Sequence, residues 1–212
     1  MAVTADGQAY DVQIEFTMPE AHNRFWAIPI LGIAVKLILL IPHIIILSVL
    51  AHVTALLFLV TWIPVLFGGR YPSWGYALTG GTLRWNANVA VYLVGFTDRY
   101  PPFRLGKAAT GEGPYDVEVD FTVPAEHNRF WAIPVIGIVV KLIILIPHII
   151  MLLVFSIAVM VLTFVTWIPV LLNGHYPSWG YEFIGGTLRW NTRSTAYFYG
   201  LTDRYPPFRL SR

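Results

Sequence analysis

Two stretches of this 212-residue chain, 25–67 and 130–172, each carry a single formal charge, Lys36 in the first and Lys141 in the second. An apolar run longer than about 18 residues reads as membrane-spanning. Composition agrees: 56% of residues are apolar and only 12% charged, against about 25% charged in soluble proteins. The chain therefore reads as a mainly α integral membrane protein. Its net charge of +2, from 14 Lys and Arg against 12 acids, is too balanced to imply a nucleic-acid partner. The absence of cysteine excludes disulfides, thiolate metal sites and cysteine nucleophiles. The first 24 residues hold Asp6, Asp11, Glu15 and Glu20 and lack a basic n-region with an apolar core, so they do not read as a cleavable signal peptide.

Shifting the sequence by 105 positions lays 10–105 onto 115–210 without a gap, with 61 of 96 positions identical. This predicts two modules, 1–105 and 115–212, packed about a pseudo-twofold axis and joined by a small, polar, glycine-rich linker at 106–114. Each module opens on strict alternation. Tyr10, Val12, Ile14 and Phe16 are apolar while Asp11, Gln13 and Glu15 are polar, and Tyr115 to Phe121 repeats the pattern. That is the period of a strand buried on one face. A lone strand leaves its backbone unpaired, so these two are expected to pair with each other or with the tails that hold Arg104 and Arg209.

A polar approach follows, His22, Asn23 and Arg24 in one copy and His127, Asn128 and Arg129 in the other, each leading into Phe-Trp. Cationic and aromatic residues side by side suit the headgroup level of a membrane, so these six are candidates for binding a headgroup or a partner carboxylate. A single helix over each apolar run would be about 64 Å long, twice the hydrocarbon thickness. Pro42 and Pro147 fall near the middle and are expected to divide the runs into helices over 25–41 and 44–66, and over 130–146 and 149–171. The expected unit is thus a helical hairpin, used twice. Arg24 before the pair and Arg70 after it place both ends on the cytoplasmic side. The segments beyond contain GGTLRWN, with Arg84 and Arg189; these arginines suit a surface-lying or protein-covered helix and add two candidates for headgroup or partner contact. Each copy closes on TDRYPPFRL, where paired prolines favour an extended tail.

The motifs HNRFWAIP, TWIPVL, YPSWGY, GGTLRWN and TDRYPPF together resemble a bacterial membrane-protein family known as Domain of Unknown Function 4389. The resemblance covers about nine tenths of the chain and implies a bacterial membrane location. It carries over no activity and no functional residue.

Lys36 and His43 lie seven residues apart, as do Lys141 and His148. That spacing puts each pair on one helix face if the helix continues through the proline. Ionisable residues in lipid are costly, and two such pairs meeting near the axis would form an intramembrane polar site. The competing reading has the lysine snorkelling to headgroups and the histidine seated in the far interface. No metal-binding spacing, phosphate loop or nucleophile motif appears, so no catalytic residue, cofactor or metal is expected. Three function classes follow, the least supported being an enzyme that acts on lipid through His22 and His127. Of the remaining two, one is a noncatalytic membrane scaffold or accessory subunit that binds lipid, docks to a larger complex, forms a homo-oligomer or shapes the membrane. The other is a small channel or transporter built on the Lys/His pairs. The expected location is the bacterial cytoplasmic membrane, with strands and termini on the cytoplasmic side.

Overall fold

A computed structural model describes residues 10–107 and 115–211. Most of the expected linker, from 108 to 114, lies outside the described residues, as does Asp6. Each repeat contributes a strand, a short 3-10 turn, a long helix and a shorter one: β1 (Val12–Phe16), α1 (Leu31–Gly68) and α2 (Ser73–Leu93), then β2 (Val117–Phe121), α3 (Ile136–Asn173) and α4 (Ser178–Phe198). The 3-10 turns span Arg24–Ala27 and Arg129–Ala132.

The expected division at Pro42 does not occur. Helix α1 runs unbroken for 38 residues through Pro42 and Pro64, and α3 does so through Pro147 and Pro169. An interior proline removes one helical hydrogen bond and crowds the preceding turn. Pro42 leaves the Ile38 carbonyl, and Pro147 the Ile143 carbonyl, without its helical donor; one residue on, the tail adds a hydrogen bond to the same turn, the Tyr100 hydroxyl donating to the Leu39 carbonyl at 2.7 Å and Tyr205 to Ile144 at 3.2 Å. Proline is tolerated inside an apolar helix when neighbouring groups satisfy the loosened backbone. The helical hairpin instead turns later, at Gly69 and Gly174, whose left-handed φ values of +66° and +76° end the long helices. Pro72 and Pro177 then start α2 and α4, which run back along their partners.

The long helices begin on a strained turn. Leu31 N–H donates to the Pro29 carbonyl at 2.7 Å, closing a γ-turn around Ile30 at φ +64°, and Val135 at φ +63° does the same in the second copy. A β-branched residue is disfavoured at positive φ. The turn leaves Ile30 76% exposed at the very start of α1.

The two strands pair with each other in an antiparallel ribbon with Ile14 opposite Val119 at its centre. Those residues are equivalents under the 105-residue shift, so the pseudo-twofold axis passes through the ribbon's midpoint. Each strand lies on the other repeat's helix, β2 on α2 and β1 on α4. The repeats are therefore intertwined rather than side by side. Tyr10, Val12, Ile14 and Phe16 point into the core with Val91, Phe96, Ile184 and Ala196, while Glu15 and Glu118 face outward. Among the described residues the ribbon meets neither α1 nor α3. The order is thus ribbon, then α2 and α4, then the long helices.

Only a narrow stripe of α1 is buried: Gly32, Lys36, Leu40, His43, Leu47, Thr54, Thr61 and Val65, spaced by three, four or seven positions along one face. Its remaining surface is largely open, and apolar except for Ser48 and His52. In the most apolar 18-residue windows, 22% of α1 and 11% of α3 are buried.

Candidate functional site

The buried polar groups assemble where one repeat's long helix begins and the other's ends. Lys36 is 1% exposed; its Nζ donates to the Tyr92 carbonyl at 2.8 Å and lies 4.9 Å from the Tyr92 ring centre. Trp26 covers the ammonium at 5.8 Å, so cation–π contact supplements a single hydrogen bond. Beside it, Asp98 accepts the Asn23 backbone N–H at 2.5 Å and lies 3.8 Å from His22 Nδ1. The Asn23 side chain caps the 3-10 turn by accepting from Phe25 N–H at 3.0 Å.

The second repeat closes this cluster. Tyr176 donates to the Val94 carbonyl at 3.3 Å, and its ring lies 5.9 Å from that of His22. Gly95, at φ +86°, sits at the junction: a Cβ there would lie 3.5 Å from Trp167 Nε1 and 3.9 Å from Lys36 Nζ. Lys141, Tyr197, Trp131, Asp203, Asn128 and Gly200 repeat the arrangement, with Lys141 bonded to the Tyr197 carbonyl at 2.9 Å and His127 Nδ1 3.5 Å from Asp203. In this copy a cavity of about 40 Å³ remains, lined by Thr61, Tyr71, His127, Lys141 and Asp203 among apolar side chains. The imidazole Nε2 of His127 is buried without a hydrogen bond.

Neither lysine snorkels, and the two lysines do not meet. Each sits beside its own short helix, Lys36 by α2 and Lys141 by α4, so the expected convergence at the axis is absent. The reason is that each long helix begins beside the end of the other, which sets the two lysines at opposite ends of the pair.

His43 lies one turn-pair further along the face of Lys36, because the helix continues through Pro42. The histidine is fully buried, accepts the Trp85 indole N–H at Nδ1 (2.8 Å), and stacks on Phe103 with ring centres 3.8 Å apart. His148, Trp190 and Phe208 form the same trio. Both histidines thus fasten the Pro-Pro tail to the long helix. His52 is exposed and bonds only its own helix, at the Ser48 carbonyl.

The arginine candidates divide in two. Arg24 and Arg129 are exposed. Each stands beside the C-terminal end of the opposite long helix, Arg24 Nε 3.8 Å from a Cβ placed on Gly174 and Arg129 Nε 3.6 Å from one on Gly69. A cation there complements the helix dipole. His22 and His127 extend this inter-repeat joint, donating their backbone N–H groups to the Gly174 and Gly69 carbonyls, each at 2.8 Å.

Arg84 and Arg189, in contrast, are pins. Arg84 Nε donates to Val119 O at 2.8 Å with its guanidinium 4.9 Å from the Phe121 ring, and Arg189 Nε donates to Ile14 O at 3.1 Å over Phe16. Their targets are the two central residues of the ribbon. Burial pushes the Arg84 pKa down, against the pull of nearby Asp120. Sequence reading missed Arg193, which replaces Asn88 of the first copy and is 1% exposed. Burial, then the charges of Arg209 and Arg189, bring its pKa down to about 10. The mismatch between the copies was the available signal.

Conserved geometry between the repeats thus binds the chain to itself: Asp11 accepts from Thr202 at 2.6 Å and Asp116 accepts from Thr97. No nucleophile is paired with a base in these clusters, and among the described residues no three His, Asp or Glu side chains gather as a metal site. A family model described as a domain of unknown function (DUF4389) matches residues 31–104 and again 136–209. No curated protein and no solved structure matches the chain.

Proposed function

The chain belongs to the DUF4389 family, with two tandem copies of its domain, and on the contacts above we propose that it is a noncatalytic membrane scaffold or accessory protein whose long helices are solvated by lipid. One observation carries this reading: α1 and α3 are long and apolar enough to span a membrane yet largely uncovered by the rest of the chain. A core helix of a soluble protein would be mostly buried. The internal comparison supports it. Positions 50–59 and 155–164 share one identity in ten, whereas the flanking decades 40–49 and 60–69 each share eight. Those middle segments differ between the copies yet stay free of formal charge, with His52, Thr54, Ser156 and Thr163 their polar residues, as contact with fluid acyl chains allows.

The polar residues support a structural role. Lys36, His43, Lys141 and His148 each have an intramolecular partner, so a conducting path built on them draws no support from their contacts. The exposed Arg24 and Arg129, together with interfacial Trp74 and Trp179 at about half exposure, provide the cationic and aromatic groups that favour headgroup contact. Purified protein reconstituted in liposomes tests the assignment. The scaffold reading predicts no proton or ion flux above empty vesicles, together with stable retention in the lipid fraction. Flux that disappears in Lys36→Ala with Lys141→Ala would establish the transport reading instead.

A further inference from the structure

Taking the lipid contact proposed above as its premise, we propose that the surface α1 and α3 recognise is one leaflet of a phospholipid bilayer, along which both helices lie without crossing it. The start of α1 adjoins the end of α3, since Gly95 stands between Lys36 in the early turns of α1 and Trp167 in the late turns of α3. The start of α3 likewise adjoins the end of α1, where Ile138 and Lys141 share a cavity with Thr61, Trp62 and Val65. The pseudo-twofold axis exchanges the two helices and passes through the centre of the ribbon, between Ile14 and Val119.

Only two orientations of that axis respect the equivalence of the repeats in a bilayer. If the axis lies in the membrane plane, the helices cross in opposite directions and the ribbon's centre is held at mid-depth. Glu15 and Glu118, which face outward from that ribbon, would then sit at the level of the hydrocarbon centre, where charge is least tolerated. If the axis stands along the membrane normal, the two helix starts share one depth and the two ends share another. Because each start adjoins the other helix's end, all four points then share a single depth. A helix that starts and ends at one depth lies along the membrane.

Length gives the same answer independently. Thirty-eight residues extend about 57 Å, so crossing a hydrocarbon layer of about 30 Å without overhang needs a tilt near 60°, beyond the range of about 0–40° found for spanning helices. An upright helix would instead leave apolar side chains in water. Both ends are apolar and open: Leu31 is 48% exposed and Phe67 75%. Lying flat, the helices place that whole length in the acyl region, while the ribbon, separated from them by α2 and α4, faces water. This is the layout of an interfacial, monotopic protein.

The cysteine-free sequence permits a direct test. Glu20 precedes α1, Arg70 follows it, and both are exposed. The double variant Glu20→Cys with Arg70→Cys is reconstituted in phosphatidylcholine–phosphatidylglycerol vesicles and treated with a membrane-impermeant maleimide; labels per molecule are then counted by mass spectrometry. Whatever the mixture of orientations, the proposal predicts molecules carrying two labels or none. One label on each molecule would show that α1 crosses and overturn the inference while leaving the lipid-scaffold reading intact. Labelling in detergent serves as the folding control and should give two labels. Failure of the protein to float with the vesicles would defeat both readings and point to a second copy covering the apolar faces.

Discussion

The Trp85 indole donates to His43 Nδ1 across 2.8 Å, and its equivalent Trp190 donates to His148 across 2.7 Å. Each bond ties a short helix to a long one at the level where the tail residue Phe103 or Phe208 stacks on the imidazole. Trp85→Phe keeps most of the ring volume and removes the donor. The expected loss is about 1 kcal/mol, the worth of a neutral hydrogen bond. His43→Ala also empties the space beneath Phe103 and Tyr100 and should cost about 2–4 kcal/mol. Denaturant titration in detergent micelles measures both; equal effects of the two substitutions would contradict a stacked joint.

Replacing Arg84 or Arg189 by methionine removes a charge-assisted bond to the middle of the ribbon. Each should lower stability by about 1.5–3 kcal/mol and expose the strand segments to protease. Vesicle binding of the folded protein should be unchanged, since these guanidinium groups are committed to Val119 and Ile14. Weaker vesicle binding without loss of stability would restore the headgroup role that their sequence context suggests.

Gly81 and Gly186 set the approach of the tails. A Cβ at Gly81 would stand 2.8 Å from the Leu105 carbonyl oxygen, and one at Gly186 would stand 2.7 Å from that of Leu210. The obstacle is backbone, which cannot rotate aside. Gly81→Ala is expected to cost about 1–3 kcal/mol and to release the tail, detected as faster proteolysis after Arg99. Gly68→Ala, where nothing lies near, provides the tolerant comparison.

Lys36 tests the meaning of a buried charge. Lys36→Met retains the stem and removes the ammonium, so stability should stay within about 1 kcal/mol of the parent or rise, because an apolar isostere avoids the desolvation cost. Lys36→Ala leaves a cavity and should lose about 2–5 kcal/mol. Measured in parallel, Lys141 should behave alike. A methionine variant as damaged as the alanine variant would show that the bond to Tyr92 outweighs the packing.

The legible part of this molecule was what periodicity writes directly into sequence. Alternation from Tyr10 to Phe16 gave the strand and the 105-residue shift gave the axis, whereas the seven-residue spacing puts Lys36 and His43 on one face only because the helix passes through Pro42. What could not be read was the consequence of Pro42. Local rules break a helix at proline, but the hydroxyl of Tyr100, 61 positions from Leu39, adds a hydrogen bond to the turn that Pro42 loosens. Strand exchange was hidden for the same reason: nothing local to Arg84 reveals that its acceptor is Val119, in the other repeat. The residues grouped as a headgroup site turned out to have different neighbours, because His22 and Asn23 meet Asp98 while Arg84 meets the ribbon.

Immersion of the open faces of α1 and α3 in lipid is tested most directly by a depth measurement. Leu56 and its equivalent Val161 are 65% and 53% exposed; Glu15 and Glu118 lie on the outer face of the ribbon. Single cysteines at these four positions, spin-labelled in vesicles, report collision with oxygen, which favours the acyl region, and with a water-soluble nickel chelate. The prediction is high oxygen and low nickel accessibility at 56 and 161, with the reverse at 15 and 118. Nickel accessibility at 56 and 161 equal to that at 15 and 118 would contradict the account.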